Sequence, residues 1–287
     1  MYAAKNDKYT LLVLPDDDAP NPREDCDCFG KMVCWHRRYN LGDDHDYEEP
    51  IDFLRDLYSS AVDDGGKRLV SFLKSHKAHG AYLEYNRSTH EWDLFERCWW
   101  RSDSDSPWDC FYSVSESQLN DADEFFDRML EALSITDLKT LIAEREDIAI
   151  LPLFLYDHSM QSISTASFIG RAQHAEWDSG QVGYIYADRK AILENFGAVN
   201  TEIREKAENL LRTEVETYDQ YLRGECYGFQ LYEDGEEIDS CWGFLGGVDD
   251  WREDVKSYLT AEAQPLADEL EYTCESEDVY LRKCAAA

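Results

Sequence analysis

The stretch from residue 148 to residue 247 constrains the fold more than any other part of the chain. It opens with an apolar run at residues 148–156, and such short runs between polar residues are typical of buried strands. It closes with two strand-like runs around Asp234-Gly235, a dipeptide that strongly indicates a β-hairpin. Between them, residues 202–222 carry apolar side chains at helical spacing, and Gly224 follows. The pattern predicts an α+β fold in which this helix packs on a mixed or antiparallel sheet with a C-terminal hairpin.

The rest of the chain predicts a division into three parts. A Ser-Asp-Ser-Asp-Ser sequence at residues 102–106 precedes an acidic run at residues 120–124, and both indicate a boundary or insertion. The apolar residues Trp251, Val255, Tyr258 and Leu259 predict a terminal helix that extends up to Pro265. We therefore expect an N-terminal α+β part at residues 1–80, an acidic insertion or subdomain at residues 81–147, and a C-terminal α+β part at residues 148–287.

Composition limits the partners of the chain. Asp and Glu number 61 against 28 Lys and Arg, which gives a formal net charge of -33 at pH 7. This charge repels nucleic acids and anionic membrane surfaces. No apolar run approaches the roughly 20 residues that cross a bilayer. Since 43% of the residues are hydrophobic and 13% aromatic, the chain is able to fill a core. We expect a soluble, folded protein that binds neither nucleic acid nor membrane directly.

The acidic residues are clustered, and the clusters predict a protein partner with a basic, nucleic-acid-binding surface. Carboxylates about 6 to 7 Å apart on a rigid surface would imitate the phosphates of a duplex strand, which advances about 3.4 Å along the helix axis per phosphate. The alternative is that each cluster is a solvated loop or helix start. The candidate partner-binding residues are Asp16, Asp17, Asp18, Asp43, Asp44, Asp46, Glu48, Glu49, Asp103, Asp105, Asp121, Asp123, Glu124, Asp127, Asp249, Asp250, Glu253 and Asp254, and further acids in such clusters are Glu24, Asp25, Asp27 and Asp109.

The nine cysteines are odd in number and scattered, with no secretory leader before them, which predicts a reduced protein in the cytoplasm. Cys26, Cys28, Cys34 and His36 are candidate metal ligands, with His45 close in sequence. Structural zinc needs four converging ligands, and neither the Cys-x-Cys spacing nor the lack of a second pair favours it. The alternative is that Cys34 faces the core and His36 caps a strand. We predict no cofactor.

A second set of residues predicts an enzyme instead. Asp157 and His158 follow a strand, where an α/β protein places catalytic groups, and Asp178 with His174 and Glu176 would join them in space. Together they would form a metal-dependent hydrolase or nucleotide-modifying enzyme. Against this, no spacing typical of a metal site is present, and Asp and His after a strand often cap a turn. No Gly-x-Ser-x-Gly motif or dinucleotide-binding glycine pattern occurs.

Six segments together resemble a known family. They are residues 21–24 (Asn-Pro-Arg-Glu), 32–43 (from Met-Val-Cys-Trp-His-Arg-Arg to Leu-Gly-Asp), 151–159, 177–183 (Trp-Asp-Ser-Gly-Gln-Val-Gly), 214–222 and 239–244. The chain resembles a family of uncharacterised proteins encoded by bacteriophages and conjugative elements. Residues 81–147 lie outside the resemblance, as an insertion would. The resemblance implies no catalytic residue or cofactor, but it implies a setting in which acidic proteins block restriction enzymes, CRISPR effectors and other defence nucleases.

Charge and resemblance lead to one functional expectation. We expect an anti-defence protein of the host-cell cytoplasm, an anti-CRISPR or antirestriction inhibitor that binds its target by DNA mimicry or by steric block. The alternative is the enzyme centred on Asp157, His158 and Asp178, and a scaffold without a role in this conflict is a third reading. The sequence leaves open whether the protein forms a homodimer.

Overall fold

Helices and antiparallel strands are interspersed along the chain in the computed structural model, which describes residues 1–61, 66–99, 106–119 and 123–286. The strands are β1 (Tyr2–Lys5), β2 (Tyr9–Pro15), β3 (Lys31–Cys34), β4 (Ala81–Asn86), β5 (Glu91–Arg97), β6 (Trp108–Val114), β7 (Ala149–Asp157), β8 (Gln161–Ser164), β9 (Ser179–Ala187), β10 (Cys226–Glu233), β11 (Glu236–Leu245) and β12 (Glu271–Tyr272). The helices are α1 (Pro22–Asp25), α2 (Pro50–Ser60), α3 (Lys67–Lys74), α4 (Glu116–Leu119), α5 (Asp123–Glu131), α6 (Ile135–Ala143), α7 (Ala175–Asp178), α8 (Arg189–Phe196), α9 (Thr201–Leu222), α10 (Val248–Tyr258), α11 (Gln264–Asp268) and α12 (Glu277–Ala286).

The chain divides into two units, each assembled from separate segments. Unit 1 contains residues 1–34, 151–185 and 210–287, and unit 2 contains residues 35–150 and 186–209. The expected division into three consecutive parts stays a prediction.

A five-stranded sheet in the order β11-β10-β2-β1-β12 organises one part of unit 1. Side chains alternate between the two faces of a strand. Leu11 and Val13 of β2 accordingly pack with Trp251 of α10 in one core cluster. Leu12 packs on the other side, together with Leu281 of α12. The sheet is therefore covered on both faces at β2.

A four-stranded sheet in the order β3-β9-β7-β8 contains the central apolar strand. The second half of α9 contacts it: the Asp219 carboxylate accepts hydrogen bonds from the Ile163 N–H and the Ser162 hydroxyl, both at 2.7 Å. At the start of β3, Glu214 accepts from the Phe29 N–H at 2.6 Å and pairs with Arg23 at 3.1 Å. These contacts fix the helix to the sheet through buried and half-buried polar groups.

Unit 2 contains the three-stranded sheet β4-β5-β6 and the helix pair α2 and α6. Two buried carboxylates stabilise turns of this unit by accepting hydrogen bonds. Asp137, a capping residue of α6 that is 0% exposed, accepts from the backbone N–H of His79 at 2.6 Å and of Gly80 at 2.8 Å. Asp147 pairs with Arg145, and the Arg145 guanidinium also donates to the Ala61 carbonyl. Both acids therefore serve the local fold.

The α+β class is confirmed, as are the central strand, the long helix and the hairpin at Asp234-Gly235. Both turn residues have positive φ, 51° and 87°, which is the conformation that the Asp-Gly dipeptide favours. The helix expected from Trp251 up to Pro265 is confirmed as α10, but it ends earlier, at Tyr258, and it is not terminal, because α11, β12 and α12 follow. Short elements of this kind have too few periodic residues to be recognised. Within the described ranges, no helix is long and apolar enough to span a membrane.

Candidate functional site

A cleft in unit 1 brings one predicted acidic cluster together with an aromatic side chain. The cleft has a volume of about 570 Å³ and is lined by Pro15, Asp16, Asp17, Asp18, Pro20, Trp242 and Gly243. The acids come from the loop that follows β2, whereas Trp242 belongs to β11. Since carboxylates attract a cation and an indole face binds it by cation–π interaction, the cleft suits an arginine or lysine side chain.

The position of Trp242 depends on a glycine in the neighbouring strand. A Cβ atom on Gly228 would lie 2.1 Å from Trp242 Cε3, so the indole occupies the space where a side chain would stand. The β10–β11 register is irregular between Tyr227 and Phe229, on either side of this glycine. The indole is nevertheless 46% exposed. One part of the ring system is thus packed on the sheet while another remains accessible from the cleft.

The acidic loop is attached to the sheet at its first residue. The Asp16 N–H donates to the Cys226 carbonyl at 2.8 Å, and Asp16 Oδ1 accepts from the Asp18 N–H at 3.2 Å. Burial, and then the nearby Asp16 carboxylate, raises the pKa of the Cys226 thiol, which therefore stays protonated and donates weakly to Asp16 Oδ2 at 3.9 Å. The exposed Asp17 and Asp18 form no ion pair within the described ranges. Their carboxylates are therefore free to interact with solvent or with a ligand.

The other predicted partner-binding acids have varied surroundings. Asp250 accepts from the Gly247 N–H at 2.9 Å and so supports the start of α10, while Asp249, Glu253 and Asp254 are exposed on the same helix. In unit 2, Asp44, Asp46, Glu48, Glu49 and Asp127 are exposed and Asp43 is half-buried. Asp103, Asp105 and Asp121 lie outside the described residues, and the side chains of Asp123 and Glu124 are not described either. In the cleft, Asp16, Asp17 and Asp18 lie together with the accessible ring of Trp242.

The residues of the predicted catalytic alternative also meet, in a different part of unit 1. His158 Nδ1 lies 2.9 Å from Asp178 Oδ2, although 20 residues separate them in the chain. The His158 ring lies 6.0 Å from the rings of both Tyr156 and His174. Asp157 is half-buried at the end of β7. Since the carboxylate orients the imidazole, this pair has the arrangement of a general base.

The predicted metal ligands do not form a ligand group. Among the described residues, no three or more His, Cys, Asp or Glu side chains are placed to hold a metal ion. Cys26 is exposed, the Cys28 thiol donates to the Pro22 carbonyl at 3.3 Å, and Cys34 packs close to Gly183. His36 Nδ1 accepts from the Tyr39 N–H at 3.3 Å. His36 therefore stabilises the turn that follows β3 through its ring nitrogen.

Trp242 and Gly228 were not predicted as parts of a site. Counting outward from the predicted turn at Asp234-Gly235 places Gly228 opposite Cys241 in an unbroken hairpin. The extra residue Ile238, at the irregularity between Leu231 and Tyr232, moves that partner to Trp242. The sequence of the hairpin therefore predicts a partner for Gly228 that is one residue away from Trp242.

Comparisons with protein families, with curated proteins and with solved structures found no match to the chain. The resemblance to proteins of bacteriophages and conjugative elements remains an expectation.

Proposed function

We propose that this protein is an anti-defence inhibitor that binds a basic, nucleic-acid-handling defence complex, such as a CRISPR effector, a restriction enzyme or another defence nuclease. The observation that carries the proposal is the cleft, in which Asp17 and Asp18 lie unpaired among the described residues beside the accessible indole of Trp242. The expected origin in a bacteriophage or conjugative element, and action in the cytoplasm of the host cell, are parts of this proposal.

Electrostatics support this function over direct binding of nucleic acid. A net charge of -33 repels a polyanion but attracts a protein surface built to bind one. Long-range attraction between unlike charges speeds the encounter and is screened at physiological salt within about 8 Å. The complex should therefore form rapidly and weaken as salt is raised.

Inhibition of purified nucleases tests the proposal. The protein is titrated into a restriction endonuclease and a CRISPR nuclease, and cleavage of labelled duplex DNA is measured at low and high salt. We expect inhibition of at least one enzyme, weaker at high salt. Failure to bind or inhibit any member of a broad panel of defence nucleases at low salt would overturn the proposal.

A charge-matched pair of variants separates the cleft from general acidity. The cleft variant carries Asp17→Asn and Asp18→Asn, and the control variant carries Glu205→Gln and Glu216→Gln on exposed positions of α9, outside the predicted acidic clusters. Each pair removes the same charge. We expect about tenfold weaker inhibition from the cleft variant and a smaller change from the control, because short-range contacts depend on position. Equal losses would assign the effect to net charge alone.

A second candidate function rests on the His158–Asp178 hydrogen bond of 2.9 Å. A hydrolase that uses His158 as general base needs this arrangement, with Asp178 fixing the orientation of the ring. His158→Ala should then abolish hydrolysis of chromogenic phosphate and carboxylate esters while leaving the melting temperature unchanged. Absence of hydrolysis by the unaltered protein would remove this candidate.

A further inference from the structure

β11 contributes Trp242 and Gly243 to the cleft, and it also forms one edge of the five-stranded sheet. β11 ends the five-stranded sheet, and within the described part of the chain no strand pairs with its outer side. It has ten residues, and those from Glu236 to Ser240 are all exposed. Such an edge presents backbone donors and acceptors to which another extended chain can add.

The register shows which backbone groups point outward. Because the Asp16 N–H donates to the Cys226 carbonyl, the backbone N–H and C=O of Cys226 face β2. These groups alternate in direction along a strand, so those of Phe229 and Leu231 face β11. Their partners in β11 are Cys241 and Asp239. Ser240 lies between them, and its N–H and carbonyl therefore face the free edge.

Charge identifies the kind of chain that suits this edge. Glu236, Glu237 and Asp239 are exposed in β11, and the strand contains no Lys or Arg. A second copy of the same edge would place like charges opposite one another, which is destabilising. An extended segment with basic side chains would instead meet opposite charges. This excludes self-pairing of the edge as the favoured use and points to a basic partner.

We infer that β11 binds an extended, basic segment of the target by strand addition at Ser240, with one arginine or lysine of that segment in the cleft beside Trp242. This inference rests on the proposed function, because it specifies which part of the target is bound. Side chains of an added strand alternate between faces, so every second residue is directed to the same side as the cleft. Backbone pairing gives affinity, and the cleft selects a cation at one position.

A peptide experiment tests strand addition. The probe is a fluorescent peptide in which arginine alternates with valine, and its anisotropy is measured on titration with the full protein. We expect saturable binding. A version with N-methyl groups on alternate residues keeps its charge but loses backbone donors, and it should bind about tenfold more weakly when the groups face β11. Equal binding of unmodified peptide and both methylation registers would overturn strand addition.

Ser240→Pro supplies the matching change in the protein. Proline is tolerated on an edge strand where its nitrogen faces outward, so the melting temperature should be preserved while peptide binding falls about tenfold. Unchanged binding to a folded variant would overturn the inference. Nuclease inhibition that persists without any peptide binding removes only strand addition, whereas peptide binding without any inhibition removes only the proposed function.

Discussion

Asp147 and Asp17 carry the same carboxylate but have opposite surroundings. The Asp147 side chain is 7% exposed and accepts from Arg145 at 2.8 and 2.7 Å, with Arg189 at 3.4 Å. Asp17 is exposed at the cleft and has no ion pair within the described ranges. The net charge of the chain therefore includes two populations of acids. One holds the fold, and the other stays available to a partner.

Glu214 and Asp137 belong with Asp147. Each accepts several hydrogen bonds from fixed donors, and each joins segments that are far apart in the chain. Burying a carboxylate is costly unless such partners are present. These acids therefore serve stability, and a mutational search for the binding surface should leave them intact.

Removal of the buried Asp147 charge should have the largest effect on the free energy of unfolding. Asp147→Asn leaves the Arg145 guanidinium, 3% exposed, without its anionic partner. Loss of one member of a buried pair typically costs about 3–5 kcal/mol. Chemical denaturation at neutral pH measures this change in the free energy of unfolding. A loss no larger than that of Asp17→Asn would contradict the division into two populations.

Gly228→Ala should have the next largest effect. The added Cβ atom would overlap the Trp242 ring, so the indole must move or the strands must separate. Overpacking of this kind costs about 1–3 kcal/mol. Thermal denaturation measures the cost, and nuclease inhibition should fall with it. The double variant Gly228→Ala, Trp242→Ala should recover stability but not inhibition; without that recovery, the clash is not the cause.

Lowering the pH should remove the stabilisation that Asp147 provides through its ion pairs with Arg145 and Arg189. Burial alone would raise the pKa of Asp147, but the Arg145 and Arg189 guanidiniums outweigh it and hold that pKa below its ordinary value. The stabilisation is thus fully present above about pH 4, the value for an unfolded chain, and is lost as pH falls through the lower folded pKa. Denaturation of the wild type and Asp147→Asn below pH 4 should show the two stabilities converging. Parallel curves would disprove this assignment.

Neutralising the cleft should have the smallest effect on stability. Asp17→Asn with Asp18→Asn should change the free energy of unfolding by less than about 0.5 kcal/mol, because exposed positions without partners contribute little. The same variant should weaken nuclease inhibition and reduce its dependence on salt. Denaturation and inhibition measured on one preparation decide the point. A stability loss near that of Asp147→Asn would give these acids a structural role instead.

Local signals explain which elements the sequence predicted. The central strand, α9 and the Asp234-Gly235 hairpin each have a pattern contained within a few residues. By contrast, β12 has two residues and pairs with β1, Tyr272 opposite Tyr2, which no local pattern indicates. Only tertiary contact defines such strands.

The sequence predicted the charged residues of the candidate site but not the residues that surround them. The sequence indicated the Asp16–Asp18 cluster and the His158–Asp178 alternative by residue type, and the structure supplies their neighbours. Trp242 reaches the acids only because irregular hairpin pairing places it beside Gly228. Likewise, the structural role of Glu214 depends on Arg23 and Phe29, almost two hundred residues earlier. Composition alone does not separate structural acids from available ones.

The connectivity of the five-stranded sheet has a consequence for how the protein is made. β2 pairs with β10, Leu12 opposite Gln230, so one edge of β2 has no partner until the ribosome has passed residue 230. At about 5–20 residues per second, that interval is roughly ten to forty-five seconds. During it, the apolar run Leu11-Leu12-Val13 is exposed to other nascent chains. During synthesis this unpaired strand is therefore prone to aggregation. Chaperones that bind apolar segments should raise the yield of folded protein.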